Sequence, residues 1–385
     1  MPGLLPSVDP DGLLEFSVVY TDRALNHMSQ RFQRVMRDIS AVLKEAYAAR
    51  SAVVVPGSGT FGMEAVARQF AAGRHCLVIR TGWFSYRWTQ IFEMGRIPSS
   101  CTVLKARRAR PGAQEPFSPP PIDDVVAAIR AEKPAVVFAA HVETAAGMIL
   151  PDDYLRALST AVHETGGMLV LDCVASGAMW VDMRSVGIDV LVSAPQKGWS
   201  GSPCCSFVML SDLARSRIDT TMSTSFAADL KRWLQVMEAY EGGSFLYHTT
   251  LPTDALTRTR DAMLETRGRG FAKLRAEQVR LGEAVRALLE RYGYASVAAA
   301  GFKAPCVVVS YTDDDGVQSG KTFIELGLQT AAGVPLQCDE GADFKTFRIG
   351  LFGLEKLGEV ERTVGYLDEA LRAIARERHR LAAAD

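Results

Sequence analysis

The chain reads as an α/β fold: a mostly parallel seven-stranded sheet flanked by helices, followed by a smaller C-terminal α+β unit. Three observations predict it. Seven short β-rich runs punctuate residues 52–211, and most are apolar throughout, as strands covered on both faces are. The stretches between them place apolar residues at helical spacing. After about residue 253 the texture changes to long, charged helical segments.

In chain order, the strand-like runs are AVVVP (52–56), HCLVIR (75–80), CTVLK (101–105), AVVFAA (135–140), MLVLD (168–172), DVLVSA (189–194) and SFVMLS (206–211). GMEAVARQFAAG and PDDYLRALSTAVHETGG read as helices between them. The last two runs are too close for a helical crossover, which suggests one antiparallel strand. RPGAQEPFSPPP (110–121) is a Pro-rich surface loop. Residues 254–292 read as one or two long helices, 305–311 and 346–351 as strands, and 355–380 as a closing amphipathic helix. On that helix, Arg372, Arg376, Arg378 and Arg380 read as a solvated face. The expected division is an N-terminal arm (1–25), a large α/β domain (26–260) and a small α+β domain (261–385).

Composition narrows the function classes. Of 385 residues, 48% are hydrophobic and 23% charged, which fits a globular chain with a large core. Lys and Arg total 43 against 44 Asp and Glu, so the basic excess of a nucleic-acid binder is missing. No apolar run is long enough to span a membrane, and no signal peptide is visible in MPGLLPSVDPDG. The seven cysteines are scattered without a CxxC pair, so neither a disulfide framework nor a metal site is expected, and a reduced, cytoplasmic protein is.

Three features carry chemistry. Gly57-Ser58-Gly59-Thr60-Phe61-Gly62 follows a strand and opens a helix, an arrangement that presents backbone N–H groups to a phosphate. A dinucleotide fold would place an acid about 20 residues on, but Arg80 and Thr81 stand there, so a single phosphate fits better. Asp172 ends MLVLD and Lys197 closely follows DVLVSA, which puts both at the carboxyl edge of the sheet. An amine, a carboxylate and a phosphate cradle on one edge suit pyridoxal 5′-phosphate (PLP): the lysine forms the Schiff base, the acid keeps the ring nitrogen protonated, and the loop holds the phosphate.

The motifs GSGTFGMEA (57–65), GWFSYRW (82–88), HVETAAG (141–147), LDCVAS (171–176), SAPQKG (193–198), FLYHTTLP (245–252) and FRIGLFG (347–353) occur in order. With them the chain, from about residue 26 onward, resembles the class V PLP-dependent aminotransferases of the alanine–glyoxylate type, which have fold type I. The resemblance implies roles for individual residues. Lys197 would bear the Schiff base and Asp172 would pair with the pyridine nitrogen. Phe84 would stack on the ring, with Val174 beneath it and Thr144 on its hydroxyl side. Ser58, Gly59 and Gln196 would hold the phosphate, with Thr60 lining that loop. Tyr247 and Thr250 would reach the phosphate of a neighbouring subunit, which implies a homodimer with shared sites. Arg348 would clamp the substrate carboxylate. The implied reaction moves an amino group from a small amino acid, such as alanine or serine, to a 2-oxo acid such as glyoxylate or pyruvate.

The chain also departs from that family. The usual Pro-Gly-Pro-Thr stretch is replaced by LEFSVVYTDRALNHMS (14–29), Asn26-His27-Met28-Ser29 stands roughly where the family has His-Arg-Ser, and Pro195 replaces a small residue. These changes lie on the substrate side. A PLP-dependent lyase or desulfurase, with Cys338 as nucleophile, is therefore the alternative, although a buried structural cysteine is the plainer reading. A nicotinamide dehydrogenase would rest on the glycine loop alone. His141 and His248 read as structural or pocket-lining, and Trp83, Trp88 and Trp199 as packing.

Overall fold

The computed structural model describes residues 5–382; residues 1–4 of the expected arm and 383–385 of the expected small domain lie outside them. The seven expected runs all form strands of one sheet: β1 (Ser51–Pro56), β2 (His75–Arg80), β3 (Ser100–Lys105), β4 (Val136–Ala140), β5 (Met168–Asp172), β6 (Val190–Ser193) and β7 (Cys205–Leu210). Their order is β1-β7-β6-β5-β4-β2-β3. Only β7 runs against the rest, pairing antiparallel with both β1 and β6. The remaining pairings are parallel. Every residue of β4, β5, β6 and β7 is buried, which explains runs without a polar alternation.

Among the described residues, nine helices of eleven residues or more surround the sheets: α1 (Gln30–Tyr47), α2 (Gly59–Phe70), α3 (Trp83–Gly95), α4 (Ile122–Glu132), α5 (Asp152–Glu164), α6 (Leu230–Glu241), α7 (Thr253–Arg269), α8 (Phe271–Arg291) and α9 (Val360–Ala382). α1 starts at Ser29, whose hydroxyl accepts from the Phe32 N–H. It buries Phe32, Val35, Met36, Ile39, Val42 and Leu43 along one stripe. The charged stretch after 253 is two helices, parted where Gly270 takes φ +91°. The expected closing helix is likewise interrupted: a short turn at Leu354–Gly358 precedes α9, and Glu359 leaves helical backbone at φ −141°. On α9, Arg372 pairs with Asp368 and Arg380 with Glu377, and Arg376 is exposed, the expected solvated face; Arg378 departs from it, half-buried with its guanidinium 5.3 Å from the Tyr294 ring centre and 3.5 Å from Asp314.

A three-stranded sheet, β8 (Val307–Tyr311), β9 (Ala331–Ala332) and β10 (Thr346–Gly350), lies beside the large one, with β10 in the middle. A second apolar cluster joins the two. It contains Val142, Ala145, Ala146 and Met148 from the loop after β4, with Val307, Val309, Leu336 and Cys338. Arg286 of α8 is buried at this junction and makes no ion pair among the described residues; its guanidinium donates to the carbonyls of Gly147 and Val307, both at 3.3 Å, and of Ala304.

Because β1, β2, β4, β5 and β6 share one direction, their carboxyl ends meet on one edge. That edge receives the glycine loop, the start of α3, the HVETAAG loop, Asp172 and Lys197. No helix among the described residues is long and apolar enough to cross a membrane.

Candidate active site

The glycine loop turns from β1 into α2. Gly57 takes φ +121°, which an L side chain rarely adopts. The other two glycines are required by contact. A Cβ on Gly59 would stand 2.8 Å from Val174 Cγ2, and one on Gly62 would stand 2.0 Å from Ser206 Oγ. The first lets the loop close on the strand end that carries Asp172; the second seats α2 on the sheet. Ser58 occupies the N-cap of α2, but its side chain makes no capping bond. A free hydroxyl and the N-terminal N–H groups of a twelve-residue helix are a donor set for an anion. Thr60 Oγ1 accepts from Arg87 Nη1 at 3.1 Å, which brings a cation of α3 to the loop.

Asp172 is buried at the end of β5, and its Oδ1 accepts from the Val174 N–H at 2.9 Å. Burial pushes its carboxyl up to about 6; the Val174 N–H opposes this and the charge of Glu143 adds to it. Lys197 lies in the turn after β6, half-buried. Burial first, and Arg348 second, hold its amine below the ordinary lysine value. Its Nζ is 4.8 Å from the centre of the Phe352 ring.

Phe84, in the first turn of α3, has the Arg87 guanidinium carbon 5.2 Å and that of Arg348 5.6 Å from its ring centre. Arg348 is the middle residue of β10, and its Nε donates to the Ala332 carbonyl at 2.7 Å. Thr144 is buried in the HVETAAG loop, whereas Gln196, the neighbour of Lys197, is exposed. The contacts link the glycine loop to α3 through Thr60 and Arg87, and Phe84 to Arg348. A Cβ on Gly59 would also stand 3.5 Å from Ala194 Cβ, so the glycine loop lies against both strand ends, the one that carries Asp172 and the one that leads to Lys197.

Tyr247 and Thr250 are elsewhere. They sit on an exposed segment with their hydroxyls 3.3 Å apart, and neither bonds to the glycine loop or to Lys197. Tyr247 instead packs on His27, with ring centres 5.5 Å apart. The histidines read as structural are anchored as such. His141 Nδ1 meets Ser176 Oγ at 2.8 Å, and burial drives its basicity down to about 3; His248 Nε2 meets the Phe226 carbonyl at 2.9 Å. Trp88 and Trp199 are fully buried against Phe138 and Trp180. Cys338 is buried, its thiol faces the Arg80 carbonyl at 3.5 Å, and burial pushes it up to about 12, so it is no thiolate at neutral pH. Cys306 also lies near Lys197, buried, with its thiol 3.2 Å from the Ala175 carbonyl.

Sequence reasoning missed Arg87. From the sequence Glu143 of HVETAAG could orient a neighbour, in a role left open; the groups that bond it come largely from a segment some 60 residues away.

The donor set fits PLP on grounds internal to this structure: an uncapped helix start for a phosphate, a buried carboxylate for a protonated ring nitrogen, a half-buried amine with lowered basicity, and an aromatic ring beside two guanidinium groups.

Comparison with known proteins agrees. The family model described as "Aminotransferase class-V" matches residues 14–245. The alanine–glyoxylate aminotransferase of Oryctolagus cuniculus is 27% identical over 364 residues, covering 91% of this chain and 88% of that protein. The 2-aminoethylphosphonate–pyruvate transaminase of Pseudomonas entomophila (strain L48) is 26% identical over 359 residues, covering 91% and 90%. The crystal structure of an alanine–glyoxylate aminotransferase from Nostoc sp. superposes with a TM-score of 0.72 at 23% identity, covering 90% and 89%, a likeness of fold.

Proposed function

Since the chain belongs to the class V aminotransferase family, whose members depend on PLP and have fold type I, we propose that it moves an amino group from a small amino acid, such as alanine or serine, to a 2-oxo acid such as glyoxylate or pyruvate. The observation that carries this reading is the convergence of Asp172, Lys197 and the α2 N-terminus on one sheet edge.

Lys197 would hold the cofactor covalently through Nζ, Asp172 would face its ring nitrogen, and Phe84 would stack on the ring with Val174 and Thr144 about it. Ser58, Gly59, Thr60 and Gln196 would bind its phosphate. When bound, PLP supplies an electron sink for the pair of electrons left at the substrate α-carbon. Lys197 Nζ moves the proton on and off that carbon; its lowered basicity keeps part of the amine free for the task. Arg348 binds the substrate carboxylate as a two-pronged donor. The exposed Tyr247 and Thr250 support a homodimer in which each subunit lends these hydroxyls to the other's phosphate site. Seven free cysteines support a reducing, cytoplasmic setting. We retain 1–25, 26–260 and 261–385 as arm, large and small functional units.

The test is to incubate the PLP-loaded protein with a panel of amino acids and 2-oxo acids and to quantify both products. Matched amounts of the oxo acid of the donor and the amino acid of the acceptor are expected. Release of sulfide, ammonia or carbon dioxide without that pair would replace transamination by the lyase or desulfurase alternative.

A further inference from the structure

We propose that Glu143 is a positioning residue: its carboxylate ties the arm that carries Phe84 to the loop that carries Thr144, and thereby sets where the cofactor ring is held. The proposal deepens the PLP reading and rests on it.

The carboxylate is completely buried. Its Oε1 accepts from the N–H groups of Phe84 at 3.2 Å and Ala145 at 3.0 Å. Its Oε2 accepts from the Ser85 N–H and the Ser85 hydroxyl, both at 2.9 Å. Three of the four partners are backbone N–H groups, which can only donate; the Ser85 hydroxyl also reaches the Gly82 carbonyl at 2.9 Å, so its one hydrogen is shared between that oxygen and Oε2. Burial pushes the Glu143 carboxyl above the usual carboxylate range, and the bonds from Ala145, Ser85 and Phe84 oppose this. Among the described residues no Lys, Arg or His forms an ion pair with it; the N–H groups of the first turn of α3 bond it instead.

The surrounding residues are shaped for this group. Position 82, the N-cap of α3, is a glycine with no side chain to cap with, and a Cβ there would stand 2.6 Å from Glu143 Cγ and 2.7 Å from Cδ. Glu143, from the end of a different strand, takes over the capping role. Ser85 Oγ accepts in turn from the N–H groups of Thr81 at 2.8 Å and Gly82 at 3.0 Å, closing the arm on itself. The two segments so joined are those that carry Phe84 and Thr144. Burying an acid without a cation is a costly way to pack a loop, but four hydrogen bonds to two segments are a rigid and directional way to fix two loops that share one ligand. When ionised, Glu143 supports the protonated form of Arg348 and opposes ionisation of Asp172, so its replacement reaches both.

The experiment compares wild type, Glu143→Gln and Ser85→Ala, each stripped of cofactor and titrated with PLP. Dissociation constants come from absorbance, and the asymmetry of the bound ring from visible circular dichroism. Glutamine keeps the shape but turns an NH₂ group toward one pair of donors. The expected result is a PLP dissociation constant raised at least about tenfold and a visible dichroism band reduced by about half or more. Ser85→Ala, which removes one donor of four, should shift both in the same direction by less. A Glu143→Gln protein with wild-type affinity and a wild-type band overturns the proposal. Should that variant not fold, an unchanged Ser85→Ala protein overturns it instead. Failure of the wild type to bind PLP defeats the underlying reading, and this proposal with it.

Discussion

The amine of Lys197, on the edge of the large sheet, lies 4.8 Å from the centre of the Phe352 ring, which follows the central strand of the small sheet. The site is thus assembled from both sheets. The ring's negative face favours the ammonium form, yet burial and the nearby Arg348 guanidinium outweigh it and lower the basicity of the amine. PLP capture needs the free amine, so it should rise with pH through a midpoint below the ordinary ~10.4 of lysine. Arg348→Gln removes a positive neighbour, favours the ammonium and should move that midpoint to higher pH. The measurement is visible absorbance of added PLP across a pH series. A midpoint unchanged in Arg348→Gln would refute the coupling, and visible absorbance retained by Lys197→Met would refute the assignment of the amine.

The strands and their common edge were legible because sheet burial is written locally: apolar runs of five or six residues have few other uses. Lys197 and Asp172 were legible for the same reason, since a polar residue at the end of such a run can only sit at the sheet edge. α1 was not singled out, although its stripe from Phe32 to Leu43 is regular, because nothing chemical lies on it. Glu143 and Arg87 act through contacts made by residues distant in the chain, and such contacts leave no local pattern. The break of the closing helix at Glu359 comes directly after Gly358, a breaker that the apolar periodicity of 355–380 conceals.

Gly62 is a packing glycine. A Cβ there would meet Ser206 Oγ at 2.0 Å and its Cβ at 2.5 Å, beneath α2 on β7. Gly62→Ala should therefore destabilise the protein by ~1–3 kcal/mol, despite the gain in helix propensity. The double variant with Ser206→Gly removes the obstruction and should recover most of the loss. Chemical denaturation of the single and double variants measures this; equal losses in both would show that the contact is not the cause.

Cys338 separates transamination from sulfur chemistry. Its thiol is buried, faces a backbone carbonyl and is pushed up to about 12. A thiol so held has almost no thiolate at pH 7.5 and makes a poor nucleophile. Cys338→Ala should keep turnover within about twofold of wild type, while stability falls modestly from the lost packing. Abolished turnover in a folded Cys338→Ala protein would point to a persulfide-forming enzyme instead.

Asp172 links site and stability. Its folded-state value of about 6 exceeds the ~3.9 of an unfolded aspartate. A raised value means that the folded, cofactor-free protein binds the proton more tightly than the unfolded chain. The stability this contributes is complete below pH ~3.9 and is lost as pH rises through about 6. The full span amounts to about 3 kcal/mol, at 1.36 kcal/mol per unit. Asparagine cannot titrate and can still accept the Val174 N–H, so Asp172→Asn should gain stability relative to wild type between pH 4.5 and 7.5. Urea midpoints of the two stripped proteins at those pH values give the comparison. PLP reverses the ranking at pH 7.5, because a protonated ring nitrogen beside a buried carboxylate removes the cost of its charge, whereas asparagine offers no such partner. A stripped Asp172→Asn protein with the same pH dependence as wild type would show that the buried carboxylate is not the titrating group.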